Sequence, residues 1–261
     1  MHNRFFSCLP AVISGLAFVL LTGCGQINPA LRVGTALAGN WTFAPTSSSV
    51  VLNLGFTQGA YETVSAVGRL EGTSCVTPQT NVLLTGSVDG NNNVTLISAP
   101  FGGTTLTIKG QVAANGKGMA AASWTFAGGN CATLGKSDVT ATNYNTIGGT
   151  YLGTLIDRDN NPLGVSAFLQ QTTQPDGNGQ FSVSGTATFP ANTCFTEQPT
   201  VTSSLVTGSS LSMTYTDPGS GAVLTAKGSF NGPATTLTIA NWAIVGGACN
   251  GDSGTGSLNL E

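Results

Sequence analysis

The sequence predicts an all-β protein made of two tandem small antiparallel β-barrels of about eight strands each. Three observations carry that expectation: apolar and polar residues alternate with period two, turn dipeptides separate the alternating segments, and one residue set recurs at fixed spacing in both halves. Leu106, Ile108, Gly110 and Val112 alternate with Thr105, Thr107, Lys109 and Gln111, and Leu211, Met213 and Tyr215 alternate with Ser212, Thr214 and Thr216. Phe181, Val183, Gly185, Ala187 and Phe189 do the same with Ser182, Ser184, Thr186 and Thr188. A strand sends successive side chains to opposite faces, so the pattern puts apolar groups inward and hydroxyls toward water. Between these segments fall Asp89-Gly90, Asn115-Gly116, Asp176-Gly177, Asp217-Pro218-Gly219 and Asn231-Gly232, all residue types that favour tight turns. No stretch after residue 24 carries a helical period.

The duplication is read from long spacings. Leu106-Thr107-Ile108-Lys109-Gly110 is followed by Trp124, Gly128-Gly129 and Cys131; Leu224-Thr225-Ala226-Lys227-Gly228 is followed by Trp242, Gly246-Gly247 and Cys249. Lys precedes Trp by fifteen residues and Trp precedes Cys by seven in both copies, and Cys75 and Cys194 lie 34 and 33 residues ahead of the two lysines. The units run near 37–144 and 147–261, joined by Asn143-Tyr144-Asn145-Thr146. Two copies are too few for a solenoid, so a pair of domains is expected. Eight hairpin-joined strands in about 110 residues suit a barrel that closes its own edges; two β-sandwiches are the alternative. The duplication also pairs the cysteines as Cys75–Cys131 and Cys194–Cys249, each unit closing itself, with pairings across the repeats as the alternative. Each bridge would close a loop of roughly 55 residues, which the chain-entropy model values at up to about 4 kcal/mol.

Composition excludes several chemistries. Charged residues make up 7% of the chain, against about 25% in ordinary globular proteins, so hydroxyls and amides must make the surface polar. No basic cluster exists, which argues against nucleic-acid binding by counterion release. The only histidine is His2, in the leader. The remainder therefore has no Ser-His or Cys-His pair and no His metal ligand, and no catalytic residue, metal site or cofactor is assigned.

The amino terminus has its own signature. Arg4 leads into an apolar run from Phe5 to Leu21, the form of a secretory signal peptide over residues 1–23. Leu21-Thr22-Gly23-Cys24 resembles the lipobox of bacterial lipoproteins. The resemblance implies diacylglycerol on the Cys24 thiol, cleavage just before it, and a membrane partner through that lipid, each buried CH₂ contributing about 0.8 kcal/mol. Gly25 in place of Asp implies the outer membrane, and residues 24–36 read as a tether of about 40 Å when extended. Cleavage leaves 238 residues, with seven Lys/Arg against eleven Asp/Glu.

The openings Gly39-Asn40-Trp41 and Gly149-Thr150-Tyr151 resemble the Gly-x-Trp first strand of lipocalin- and avidin-like barrels. The second copy has Tyr for Trp and no Arg closes either unit, so no binding residue is carried over. Trp41, Trp124, Tyr151 and Trp242 are candidate ligand-lining residues, core packing being the plainer role for such rings. Lys109 and Lys227 fall on the polar face, where solvation is their default. Asp157-Arg158-Asp159-Asn160-Asn161 has the start of a calcium loop, but Pro162 stands where that loop needs Gly and Phe168 where it needs a bidentate Glu; a hairpin turn fits better. Glu62, Glu71, Asp138 and Glu197 are scattered.

Together these features suggest a lipid-anchored, non-enzymatic protein of the cell envelope, binding a small apolar ligand or a protein partner. A structural or adhesive surface module is the alternative, and a carboxylate-dependent glycan hydrolase a third. Cys24→Ala is expected to move the protein from the membrane fraction to the soluble one, read by fractionation; retention in the membrane would contradict the anchor.

Overall fold

A computed structural model describes residues 37–59, 63–190 and 194–261. The signal segment, Cys24, the tether and Glu62 lie outside the described residues. The first unit contains β1 (Gly39–Ala44), β2 (Val51–Gln58), β3 (Thr63–Glu71), β4 (Asn81–Val88), β5 (Asn93–Ser98), β6 (Thr105–Val112), β7 (Gly118–Ala127), β8 (Lys136–Asp138) and β9 (Thr140–Tyr144). Neighbours pair antiparallel in the order β6-β5-β4-β3-β2-β1-β9-β7, and β6 pairs β7 to close the ring. β8 and β9 together serve as the eighth strand along β7; they part at Val139, whose N–H donates to Ala122 O at 2.9 Å.

The second unit contains β10 (Gly148–Asp157), β11 (Pro162–Gln171), β12 (Val183–Thr188), β13 (Thr200–Thr207), β14 (Ser210–Thr216), β15 (Val223–Phe230), β16 (Thr236–Val245) and β17 (Ser253–Leu260). They form a closed barrel in sequence order, β17 returning to β10. Two tandem eight-stranded antiparallel barrels are therefore the fold, and closure rules out the sandwich arrangement. Alternation is cleanest in β5, where buried and exposed residues take turns throughout.

Each barrel has its own core. The aromatic residues fill it: Trp41 lies 6.2 Å from Phe43 and 5.8 Å from Phe56 between ring centroids, and Trp124 meets Phe126 edge-on at 5.4 Å. Three of the core rings have their polar tips satisfied. Trp41 Nε1 donates to Leu37 O at 2.8 Å, Trp242 Nε1 to Thr255 O at 3.0 Å, and Tyr151 Oη to Ala234 O at 2.6 Å. The copies also share an end plug. The N–H groups of Leu37 and Ile147, both buried, donate to the side-chain oxygens of Gln58 and Gln171 at 2.8 and 3.1 Å.

The disulfides are Cys75–Cys131 and Cys194–Cys249, each inside one barrel. Both tie the connection after the third strand of a unit to the connection after the seventh. The glycine pairs ahead of Cys131 and Cys249 have φ of 71° and 57°, and 82° and 64°, left-handed values that turn the chain sharply toward the bridge. The recurrent Lys-Gly dipeptides mark β-bulges, since the register between β6 and β7 shifts at Lys109–Gln111 and that between β15 and β16 at Lys227–Gly228.

The second disulfide loop is held by a buried carboxylate. Asp217 is fully buried and accepts hydrogen bonds from the N–H groups of Thr196 (2.8 Å), Glu197 (3.0 Å) and Ser220 (3.1 Å) and from the Ser220 hydroxyl at 2.5 Å. Burial alone would raise its pKa, but the Ser220 hydroxyl and the Thr196, Ser220 and Glu197 N–H groups outweigh it and hold the carboxyl well below the usual range. The folded chain thus binds this proton less readily than the unfolded chain. The stabilisation is complete above the ordinary Asp value of 3.8 and is lost as pH falls through the depressed folded value. Asp217→Asn is expected to lower stability at neutral pH by about 2 kcal/mol. The deficit should shrink below about pH 4, as read from urea midpoints of both proteins; a constant deficit would contradict the role.

Candidate functional site: the cleft between the barrels

One strand departs from alternation. In β2 five consecutive residues, Leu52 to Phe56, are buried. Leu52, Leu54 and Phe56 point into the first barrel, so Asn53 and Gly55 must be covered from outside. The cover is the second barrel. A Cβ at Gly55 would stand 2.5 Å from Pro175 Cβ and 2.7 Å from Gly179 O, so only a glycine admits this approach.

Pro175 and Gly179 belong to the connection between β11 and β12, which has eleven residues where the connection between β2 and β3 has four. The added length reaches the neighbouring barrel: Asn81 Nδ2 donates to Asn178 Oδ1 at 3.0 Å and to Gly177 O at 3.4 Å. A second contact comes from the turn between β13 and β14. The buried Asn40 amide donates to Gly208 O at 2.6 Å and accepts from Gly208 N–H at 2.9 Å. A third lies at the linker, where Asn145 N–H donates to Gly232 O at 2.9 Å and Asn145 Nδ2 to Pro233 O at 3.0 Å. These three contacts hold one barrel against the other.

Beside these contacts the barrels leave a cleft of about 590 Å³. The first barrel contributes Arg69, Glu71 and Pro78; the second contributes Asn178, Gln180, Leu205, Thr207, Ser210 and Lys227, among others. Arg69 is held by Asn81, its Nε donating to Asn81 Oδ1 at 3.3 Å. The Thr207 hydroxyl is buried in the cleft wall without a hydrogen-bond partner. In a chain with 7% charged residues, three of them on one cleft is a marked concentration. The arrangement offers two cations, one carboxylate, two amides and several hydroxyls beside the apolar Leu205 and Pro78, a set suited to recognising a polar group of net negative charge.

A larger depression, about 690 Å³, lies over the β7 bulge, lined mainly by small residues such as Ala113, Ala121 and Ala141. Its cation, Lys117, is engaged with the Asn145 side-chain oxygen. It offers little that could select a ligand.

The residues singled out from sequence separate into different places. Lys227 lines the cleft, whereas Lys109, its counterpart, is exposed on the first barrel opposite Thr95 and Ser123. Trp41, Trp124, Tyr151 and Trp242 are each no more than 2% exposed and sit in the two cores; none lines either depression. Asp157 closes the β10–β11 hairpin: it accepts from the N–H groups of Asp159 and Asn161 at 2.8 and 2.7 Å and from Asn161 Nδ2 at 2.8 Å. The Asn161 side chain, then its N–H, lowers the Asp157 pKa, and Asn93 does the same for Asp89 in the β4–β5 turn. Cys194, Cys249 and Asp252 lie close enough to suggest a metal site, but both sulfurs are spent in the disulfide. Arg69, Asn178 and Thr207 had no signal in the sequence, because their proximity exists only once the barrels dock.

Asn40→Ala is expected to leave the Gly208 N–H and carbonyl unpaired, lowering stability by about 2 kcal/mol and speeding hydrogen exchange at the Gly208 amide. Unchanged exchange there would contradict the clamp. No family model, curated protein or solved structure matches this chain.

Proposed function

We propose that this chain is a lipid-anchored, non-enzymatic binding protein of the bacterial envelope, and that it receives a polar, carboxylate-bearing ligand or protein segment in the cleft between its barrels. The observation that carries the reading is the gathering of Arg69, Lys227 and Glu71 with amides and hydroxyls on that cleft. The packed aromatic cores favour a ligand outside the bores over an apolar one within them. The lipobox-like Leu21-Thr22-Gly23-Cys24 supports the anchor and the envelope location. The non-enzymatic part rests on chemistry. No histidine follows His2, and each of the two depressions carries one carboxylate, Glu71 or Asp138. Glycan hydrolysis calls for two carboxylates about 5–10 Å apart.

A second reading, an adhesive module, draws on the hydroxyl-covered outside of the second barrel, where the Thr202 and Thr216 hydroxyls lie 3.1 Å apart. Amide NMR titration with a Glu-rich hexapeptide and its Gln counterpart tests the first reading. The acidic peptide should shift signals near Arg69, Thr207 and Lys227, lose affinity with added salt, and bind at least about tenfold more weakly to the Arg69→Ala/Lys227→Ala protein. Equal responses to both peptides would reject it.

A further inference from the structure

The first hairpins of the two barrels share one register, and a face covered in one barrel is bare in the other. Trp41 pairs with Leu54 across β1 and β2, and Tyr151 pairs with Ala167 across β10 and β11. The end plugs fix the same alignment independently, because Leu37 and Ile147 each stand four residues before that aromatic residue and bond Gln58 and Gln171. Asn40, Thr42, Asn53 and Gly55 therefore correspond to Thr150, Leu152, Ser166 and Phe168.

The first four form the face on which the second barrel docks. Asn40 clamps Gly208, Gly55 abuts Pro175, and a Cβ at Gly208 would touch both Thr42 and Asn53 within 2.5 Å. On the second barrel the equivalent face is open. Phe168 is 53% exposed and Leu152 is 43% exposed. They are diagonal neighbours across the hairpin, since Thr150 pairs with Phe168 and Leu152 with Ser166, a separation at which large side chains meet. The duplication has thus put two large apolar groups where the covered copy has Thr and Gly.

We infer that this β10–β11 face is a self-association surface, covered in solution by a second copy of this chain. The molecule itself supplies the precedent, since the equivalent face of the first barrel is already covered by a barrel of the same chain. Charge points the same way: β10, β11 and β12 carry no charged residue apart from Asp157 at the turn. An uncharged face suits a partner as charge-poor as this chain. A bilayer surface is the poorer fit, because interfacial insertion usually pairs apolar groups with several Lys or Arg on the flanks, and the one cation of this hairpin, Arg158, stands between Asp157 and Asp159. The inference does not depend on the cleft, which lies against β13–β15 and the first barrel.

Sedimentation velocity of the mature chain carrying Cys24→Ala, up to about 1 mM, tests it. The expected result is concentration-dependent self-association whose dissociation constant rises at least about tenfold in Phe168→Lys. Leu152→Thr, which installs the residue type of Thr42 at the equivalent exposed position, should weaken it in the same direction and guards against misfolding of the lysine variant. Arg69→Ala should leave association unchanged, so failure of the cleft reading and failure of this one are distinguishable. A chain that stays monomeric throughout, or association indifferent to both substitutions in folded protein, would overturn the inference. Monomeric protein that binds phosphatidylcholine vesicles through Phe168 would overturn it in favour of a membrane contact.

Discussion

An eight-stranded barrel has a bore just wide enough for side chains to fill, and everything else in this structure follows from its being filled. Trp41, Phe43 and Phe56 occupy one interior, with Trp124 and Phe126 in the same core; Tyr151 and Trp242 occupy the other. Rings of this size bury their area while their N–H and O–H groups bond backbone carbonyls. With the interior committed to packing, recognition moves to the outside of the barrels and to the space between them. Among the described residues closure leaves only the short β8 with a single strand partner, β7, so a partner engages side chains or loops more readily than it adds a long strand.

Two such barrels stand in tandem, and the differences between them turn a pair into an assembly. The elements that hold each fold together are common to both: the end-plug glutamines, the bulge after the repeated lysine, the double glycine and the disulfide. The elements that join the copies belong to one or the other. The long β11–β12 connection exists only in the second barrel, and the glycine that admits it, Gly55, only in the first. The contact is heterologous: a loop end of one barrel meets the side of the other, so equivalent surfaces are left unmatched at both ends. The scarcity of charge gives this geometry its consequence. Backbone carbonyls and Asn amides join the barrels through short-range directional bonds, while Arg69, Glu71 and Lys227 line the cleft.

Much of this was legible in the residues. Period-two alternation set which side of each strand faces inward, as the burial of Leu211, Met213 and Tyr215 along β14 bears out. The equal spacings from Lys to Trp to Cys announced the duplication, and with it the disulfide pairing. Asp-Gly and Asn-Gly dipeptides located turns, and the Asp157 segment closed as a hairpin because its carboxylate is saturated by its own loop. The role of the aromatic residues was open in the sequence between lining and packing, since alternation tells that a ring points inward and not whether the space it enters is full.

The sequence by itself determined strand faces and favoured bridges within each unit over bridges between them, because both depend on periodicity and spacing within one unit. Only the tertiary structure decided that β2 is buried on both faces, that Gly55 receives Pro175, and that Arg69 and Lys227 share a cleft. Those facts depend on how two closed surfaces dock. Docking is set by shape and by a few hydrogen bonds between residues as distant along the chain as Asn40 and Gly208, a relation that no local pattern encodes.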